Sequence, residues 1–398
     1  METARVSGYG LVALLSAALF LLRPVWMMIG PLLVVLAAAF DTSIAATGQL
    51  AAAMGISWGI TAPLVGPVSD VYGRRRVGLT GLVVMTVGIL GSALAWNFWL
   101  LFACRLLTGV GGAMIPPNSM AAIADHFPPA RRGTPISVLI CASFFGLVIG
   151  TPAIAILAAA GGWRLPFCAV GALLVMVCVL QWYWFPEGRQ ATRTFSFAAH
   201  FKTVGRSASL WYVLAANLFY QTAALGIFVY LVAFLIATYG MRQGDTALPL
   251  AILGAGAMLG SLLGGFVASR SQRLTLSALA LLLGGASIGM AFTLSLSLWV
   301  TILLCCVSAV LLTIFEPVTW ALTAEFAGES RATANGVLAT SNQLGVIGGA
   351  SVGGLALAVG GFAFVGLFCL AAAIVAAAIV TALSLRTARA SRLKAEAT

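Results

Sequence analysis

Three ionisable residues fall inside long apolar runs of this 398-residue chain: Arg23, Arg105 and Glu316. A charge in the middle of a membrane span costs about 2.5–3.5 kcal/mol on insertion scales, so such a residue points first to function. Guanidinium groups at Arg23 and Arg105 suit a carboxylate or another anion, gripped by paired charge-assisted hydrogen bonds. The structural alternatives are snorkelling of Arg23 toward the outer head groups and helix packing by Arg105. Glu316 directly precedes Pro317. A carboxyl group in apolar surroundings can take up and release a proton, which makes Glu316 a proton-coupling candidate; a hydrogen bond at the proline break is its alternative. Asp41 is the second coupling candidate, although Asp41-Thr42-Ser43 also reads as a helix N-cap at an outer junction. Trp26, Gln49, Asn118, Asn217, Tyr220, Gln221, Trp320 and Asn342 would complete a substrate pocket around the two arginines. Asn217, Tyr220 and Gln221 are three and four apart and share a helix face. Each of these polar and aromatic residues can instead bond helix to helix.

The elements that must position these groups are membrane helices. Of the residues, 61% are hydrophobic and 8% charged, against about 25% charged in a soluble domain. The charges cluster between apolar runs of about twenty residues or more, each long enough to cross a hydrocarbon core of about 30 Å as a helix. With 44 glycines and few alternating runs, a barrel is disfavoured. Twelve spans are expected near 9–36, 44–68, 77–95, 98–123, 134–160, 166–185, 209–237, 246–268, 274–294, 297–323, 334–358 and 361–385. Arg5 ahead of an apolar stretch resembles a leader, but no small-residue cleavage site follows and the stretch runs on to Phe40, so it reads as the first span. The seven cysteines all lie in apolar runs without metal or redox spacing, so neither disulfide nor metal is expected.

Orientation follows from Lys and Arg asymmetry. With both termini cytoplasmic, the inner segments hold Arg5, Arg74, Arg75, Arg76, Arg131, Arg132, Arg189, Arg193, Lys202, Arg206, Arg270, Arg273, Arg331, Arg386, Arg389, Arg392 and Lys394. These are 17 of the 21 basic residues. Only Arg164 and Arg242 fall outside. Facing anionic inner-leaflet lipid, the cytoplasmic basic residues account for the net charge of +11 without nucleic acid.

The chain also repeats itself. Gly66-Pro-Val-Ser-Asp70-Val-Tyr-Gly73-Arg74-Arg75-Arg76 is matched 199 residues on by Gly265-Phe-Val-Ala-Ser269-Arg-Ser-Gln-Arg273. Pro117…Asp125…Arg131 is matched 200 residues on by Pro317…Glu325…Arg331. Duplicated halves are expected: a six-helix bundle over 1–185, a cytoplasmic linker over 186–208, a second bundle over 209–385 and a basic tail over 386–398.

The Gly66–Arg76 segment, placed after a second span, resembles the loop signature of the major facilitator superfamily. Arg105-Leu-Leu-Thr-Gly109 resembles that family's helix-four motif, and Asp125-His-Phe-Pro-Pro-Ala-Arg131-Arg-Gly133 resembles the loop that follows it. Gly146…Gly150-Thr-Pro152 resembles the helix-five motif of antiporters, with alanine at Ala155 where glycine is usual. The nearest branch is the twelve-helix drug:proton antiporters. The resemblance implies two pseudo-symmetric six-helix bundles and alternating access. It also implies a cytoplasmic latch formed by Gly66, Asp70, Gly73 and Arg74, with Arg74 or Arg75 meeting Asp125, Arg131 nearby, and Asp70 approaching the start of span eleven near Asn335.

No GxxxxGK[ST] loop, enzyme triad or metal cluster is visible. The reading is therefore a proton-coupled exporter of small organic compounds, anions included, without cofactor or enzymatic activity. It would be a monomer in lipid, multi-pass in the inner membrane. Uptake of an organic anion and lipid flipping are the alternatives.

Overall fold

The computed structural model describes residues 8–128, 131–185, 207–326 and 331–396, with the side chains at 67, 70, 331–333 and 390–396 outside the description. Every regular element among the described residues is helical. In hydrocarbon, backbone groups without water must be satisfied within the segment, and an apolar helix does this.

The first span is α1 (Gly8–Met27) and α2 (Ile29–Ala39), broken at Met28. Pro31 has no N–H to offer the Met27 carbonyl four residues back, which is where the helix breaks. Spans two to four are α3 (Ile44–Tyr72), α4 (Arg74–Ala93) and α5 (Phe98–His126). The fifth is α6 (Gly133–Phe145), a π-turn (Gly146–Gly150) and α7 (Thr151–Gly161), and the sixth is α8 (Arg164–Trp184). Then come α9 (Ala208–Tyr239), a 3-10 turn (Gln243–Thr246) leading into α10 (Ala247–Ala268), and α11 (Arg273–Leu294). The tenth span is α12 (Leu298–Thr313) and α13 (Phe315–Phe326). It breaks at Ile314 for the reason that breaks the first: Pro317 cannot bond the Thr313 carbonyl. The eleventh combines α14 (Arg331–Ile347), a second π-turn (Gly348–Val352) and the start of α15 (Gly353–Glu396). Helical geometry is lost inside α15 at Gly360 and Gly361, the latter at φ 70°, which favours glycine, and there the twelfth span begins.

Among the described residues, ten segments are long and apolar enough to cross a membrane; one of them, Ala334–Arg389, holds two spans. The more polar, glycine-bearing α3 supplies the twelfth. Helix ends fall within about four residues of the sequence reading, with one exception. The last helix continues to Glu396, where a tail was expected from 386. Its Ala, Leu, Arg and Lys residues are strong helix formers and need no membrane to extend it.

By Cα proximity the chain divides into two compact units. One holds the helices before Phe195 together with Leu235–Ala251; the other holds the remaining helices. In the first, α5 lies against α3 and α4. A Cβ at Gly109 would stand 2.3 Å from the Met54 carbonyl oxygen, and one at Gly111 2.3 Å from the Met85 nitrogen. In the second, Gly256, Gly260 and Gly264 form a stripe on α10 that admits the backbone of the tenth span, where Thr313 Oγ1 donates to the Ala257 carbonyl at 3.0 Å. Small residues of this kind let helices approach closely in lipid, where dispersion and hydrogen bonds drive association.

Candidate functional site

Arg23 lies fifteen residues into the first span and sixteen before its end at Ala39. At 1.5 Å per residue it is about 22–24 Å from either end. That mid-span depth disfavours the alternative of snorkelling to the outer head groups. The side chain is half-buried. Its Nε donates to Ser143 Oγ at 2.9 Å, and its guanidinium carbon lies 5.5 Å from the ring centroids of both Trp26 and Phe144.

This contact exists because α1 and the fifth span nearly touch. A Cβ at Gly146 would stand 2.0 Å from the Phe20 carbonyl oxygen, and one at Gly150 2.8 Å from the Pro24 ring. Ser143, Gly146 and Gly150 occupy one helix face, so the glycines bring the serine to the arginine. Ser143 and Phe144 were missed in the sequence. The three- and four-residue spacing of Ser143, Gly146 and Gly150 was the available signal.

Arg105 differs. It is 0% exposed, and its Nη2 donates to the Val25 carbonyl at 3.2 Å and meets Met54 Sδ at 2.8 Å. Its Nε and Nη1 have no hydrogen-bond partner. The expected substrate-binding pair of arginines is therefore not formed: Arg23 is partly open, whereas Arg105 is sealed between α1, α3 and α5.

Several expected pocket residues serve the scaffold instead. Asn118 is buried and both ends of its amide are used at the turn between α3 and α4. Ser69 Oγ donates to its Oδ1 at 2.7 Å, and its Nδ2 donates to the Arg74 carbonyl at 2.6 Å. Asn217 is buried and ties α9 to α14, its Nδ2 reaching Ser341 Oγ at 3.2 Å and Asn342 Oδ1 at 2.6 Å. Tyr220, on the same face, packs edge-on against Phe315 at 5.7 Å, and Gln221 is buried beside it. That face is thus covered by α13 and α14. Gln49 donates back to Ala45 within its own helix at 3.4 Å, and Trp320 is exposed.

Glu316 is the second residue of α13, half-buried at the break in the tenth span. Asp41 is exposed in the turn between α2 and α3 at φ 48°. Ser43, not Asp41, caps α3, accepting from the Ala46 nitrogen at 3.0 Å. An exposed carboxylate lacks the apolar surroundings that a coupling site needs, so Asp41 is set aside.

At the loop signature, Gly73 closes α3 at φ 88°, a conformation that favours glycine. At Gly66 a Cβ would meet nothing within 4 Å. Arg74 Nε meets Asp125 Oδ2 at 3.3 Å while its Nη1 donates to Ser69 Oγ at 2.9 Å. Arg75 Nη2 donates to the Trp182 carbonyl at 2.6 Å. Arg131 is exposed. Its neighbour Arg132 donates to carbonyls at the C-terminal end of α5, to Ala124 in its last turn at 2.6 Å and to the capping residue Phe127 at 2.9 Å. The expected approach of Asp70 to span eleven lies outside the described residues. In the second unit Arg273 Nη2 meets Glu325 Oε2 at 2.5 Å, at the repeated positions.

The profile of the Major Facilitator Superfamily matches residues 15–350. The chain is 33% identical over 125 residues to the 3-(3-hydroxy-phenyl)propionate transporter of Escherichia coli (strain K12), covering 31% of this chain and 30% of that protein. It is 35% identical over 129 residues to the multi-drug resistance efflux pump PmrA homolog of Lactococcus lactis subsp. lactis (strain IL1403), covering 32% of each. The matched stretch is therefore about a third of each of these relatives. Among solved structures, a bacterial homolog of the human lysosomal transporter Spinster, inward-facing and unoccupied, superposes with TM-score 0.75 at 19% identity over 96% of both chains. The D-xylose-proton symporter superposes with TM-score 0.76 at 18% identity, over 94% of this chain and 97% of that one.

Proposed function

This chain belongs to the Major Facilitator Superfamily, and on that footing we propose that it is a proton-coupled secondary transporter exporting small organic compounds, anions among them, by alternating access. The observation that carries the reading is Glu316. Among the described residues it is the carboxylate placed well inside a span, at a proline break, while Asp125 and Glu325 lie at helix ends. A carboxyl group so placed can exchange a proton within a transport cycle. Arg23, held at mid-span, supplies the positive charge for an anionic solute. The ion pairs Arg74–Asp125 and Arg273–Glu325 are read as cytoplasmic latches, with Asp70, Gly66 and Gly73 in the same loop.

Basic-residue asymmetry supports an inner-membrane topology with both termini cytoplasmic. We also read the chain as two six-helix bundles, 1–185 and 209–385, working as a monomer in lipid. The relative named for 3-(3-hydroxy-phenyl)propionate favours a second reading, uptake of an organic acid. Direction separates the two. In inverted membrane vesicles with an inward-acid gradient, export predicts solute accumulation in the lumen. Accumulation solely in right-side-out cells would establish uptake instead.

A further inference from the structure

We propose that the exposed end of α15, together with the start of α9, binds the head group of an anionic phospholipid. The proposal needs only the membrane-spanning helices; it is independent of the direction of transport and of the coupling ion. Arg386 sets the geometry. Its guanidinium carbon lies 5.8 Å from the centroid of the Tyr212 ring, within the range of a cation–π contact. Tyr212 stands near the start of α9 and Arg386 in the last turns of α15. The contact therefore places these two helix ends at one membrane face.

Arg386 and Arg389 are both exposed. Three residues apart on a helix, they are surface neighbours, and like charges so placed repel one another. No acid on either helix offsets them: α9 has none, and α15 has none before Glu396. Arg392 and Lys394 follow on the same helix, completing a run of four basic residues just beyond a span. Such runs attract anionic lipid. A phosphodiester set between Arg386 and Arg389 replaces their repulsion with charge-assisted hydrogen bonds.

The aromatic residues set the depth. Trp211, next to Tyr212, is 52% exposed, and a tryptophan at a span end sits at head-group level. Leu385, directly before Arg386, is exposed and closes the apolar stretch. The basic run thus begins where the acyl region ends. A free phosphate would meet the two arginines alone, whereas a phospholipid also lays its chains along the apolar surface before them. That difference favours lipid as the occupant.

The test titrates purified full-length protein in neutral detergent with dioleoyl-phosphatidylglycerol, and native mass spectrometry reads the lipid retained. Phosphatidylglycerol should bind at least about tenfold more tightly than dioleoyl-phosphatidylcholine. Arg386→Gln and Arg389→Gln should each weaken phosphatidylglycerol about fivefold. The double variant should lose the preference, while Arg386→Lys with Arg389→Lys should keep most of it. Tyr212→Leu should weaken binding about twofold through loss of the ring, and Tyr212→Phe should not. These positions are on the surface, so thermal unfolding in phosphatidylcholine should be the same for every variant. Equal binding of the two lipids, or an undiminished preference in the double glutamine variant, overturns the proposal. Displacement of phosphatidylglycerol by an equal concentration of glycerol phosphate overturns it too, and would mark the arginines as a site for a soluble anion.

Discussion

Arg273 Nη2 and Glu325 Oε2 meet at 2.5 Å, joining the start of α11 to the end of α13. Arg74 and Asp125 make the equivalent link in the first unit at 3.3 Å. Exposed pairs contribute about 0–1 kcal/mol, so Glu325→Gln should leave thermal stability nearly unchanged. If the pair acts as a latch, the same variant should alter transport rate more than solute affinity. The double exchange Arg273→Glu with Glu325→Arg should recover rate. A stability loss without a rate change would mark the pair as structural only.

Asn118 is a stronger structural element than either ion pair. It is buried, spends both amide ends on the α3–α4 turn, and holds Ser69, which in turn holds Arg74. Asn118→Leu strands the Arg74 carbonyl and the Ser69 hydroxyl. The expected cost is about 2–4 kcal/mol, from two lost buried hydrogen bonds. Thermal unfolding in detergent measures it.

Close packing of the fifth span on α1 predicts intolerance of any side chain at Gly146. The Cβ of Gly146→Ala would collide with the Phe20 carbonyl oxygen. Overpacking of this kind costs about 1–3 kcal/mol. Because Ser143 lies one turn away, the variant should also weaken solute binding at Arg23. Gly66→Ala is the control, having open space, and should be neutral in both assays.

Outside the spans, Arg242 donates to Asp245 at 2.9 and 3.4 Å. That hydrogen bond is the main cause holding the Asp245 carboxyl below its ordinary value. A depressed folded-state pKa contributes stability above the unfolded value of about 4, lost as pH falls through the lower folded value. Asp245→Asn and the unaltered protein should therefore differ slightly at neutral pH and converge in acid, as read by thermal unfolding against pH.

Much of the architecture was legible because lipid leaves so few options. Apolar run length placed the spans, and Pro317 marks where the tenth breaks. The repeat at about 200 residues carried through to side chains, pairing Arg74 with Asp125 and Arg273 with Glu325. The site was less legible. Periodicity put Asn217, Tyr220 and Gln221 on one face but could not say that α13 and α14 cover it. Asn118 reads as a pocket residue until the turn beside it is seen to consume its amide. Arg23 and Arg105 look alike in sequence. Their difference lies in neighbours distant along the chain: Ser143 and Phe144 for one, Val25 and Met54 for the other.

The central claim is that solute movement is coupled to protons through Glu316. The direct measurement is solute-driven proton movement in proteoliposomes carrying an internal pH dye. An outward solute gradient should move protons with the unaltered protein, and Glu316→Gln should abolish that movement while solute counterflow persists. Undiminished proton movement in Glu316→Gln, or none in the unaltered protein during active solute flux, would contradict the account.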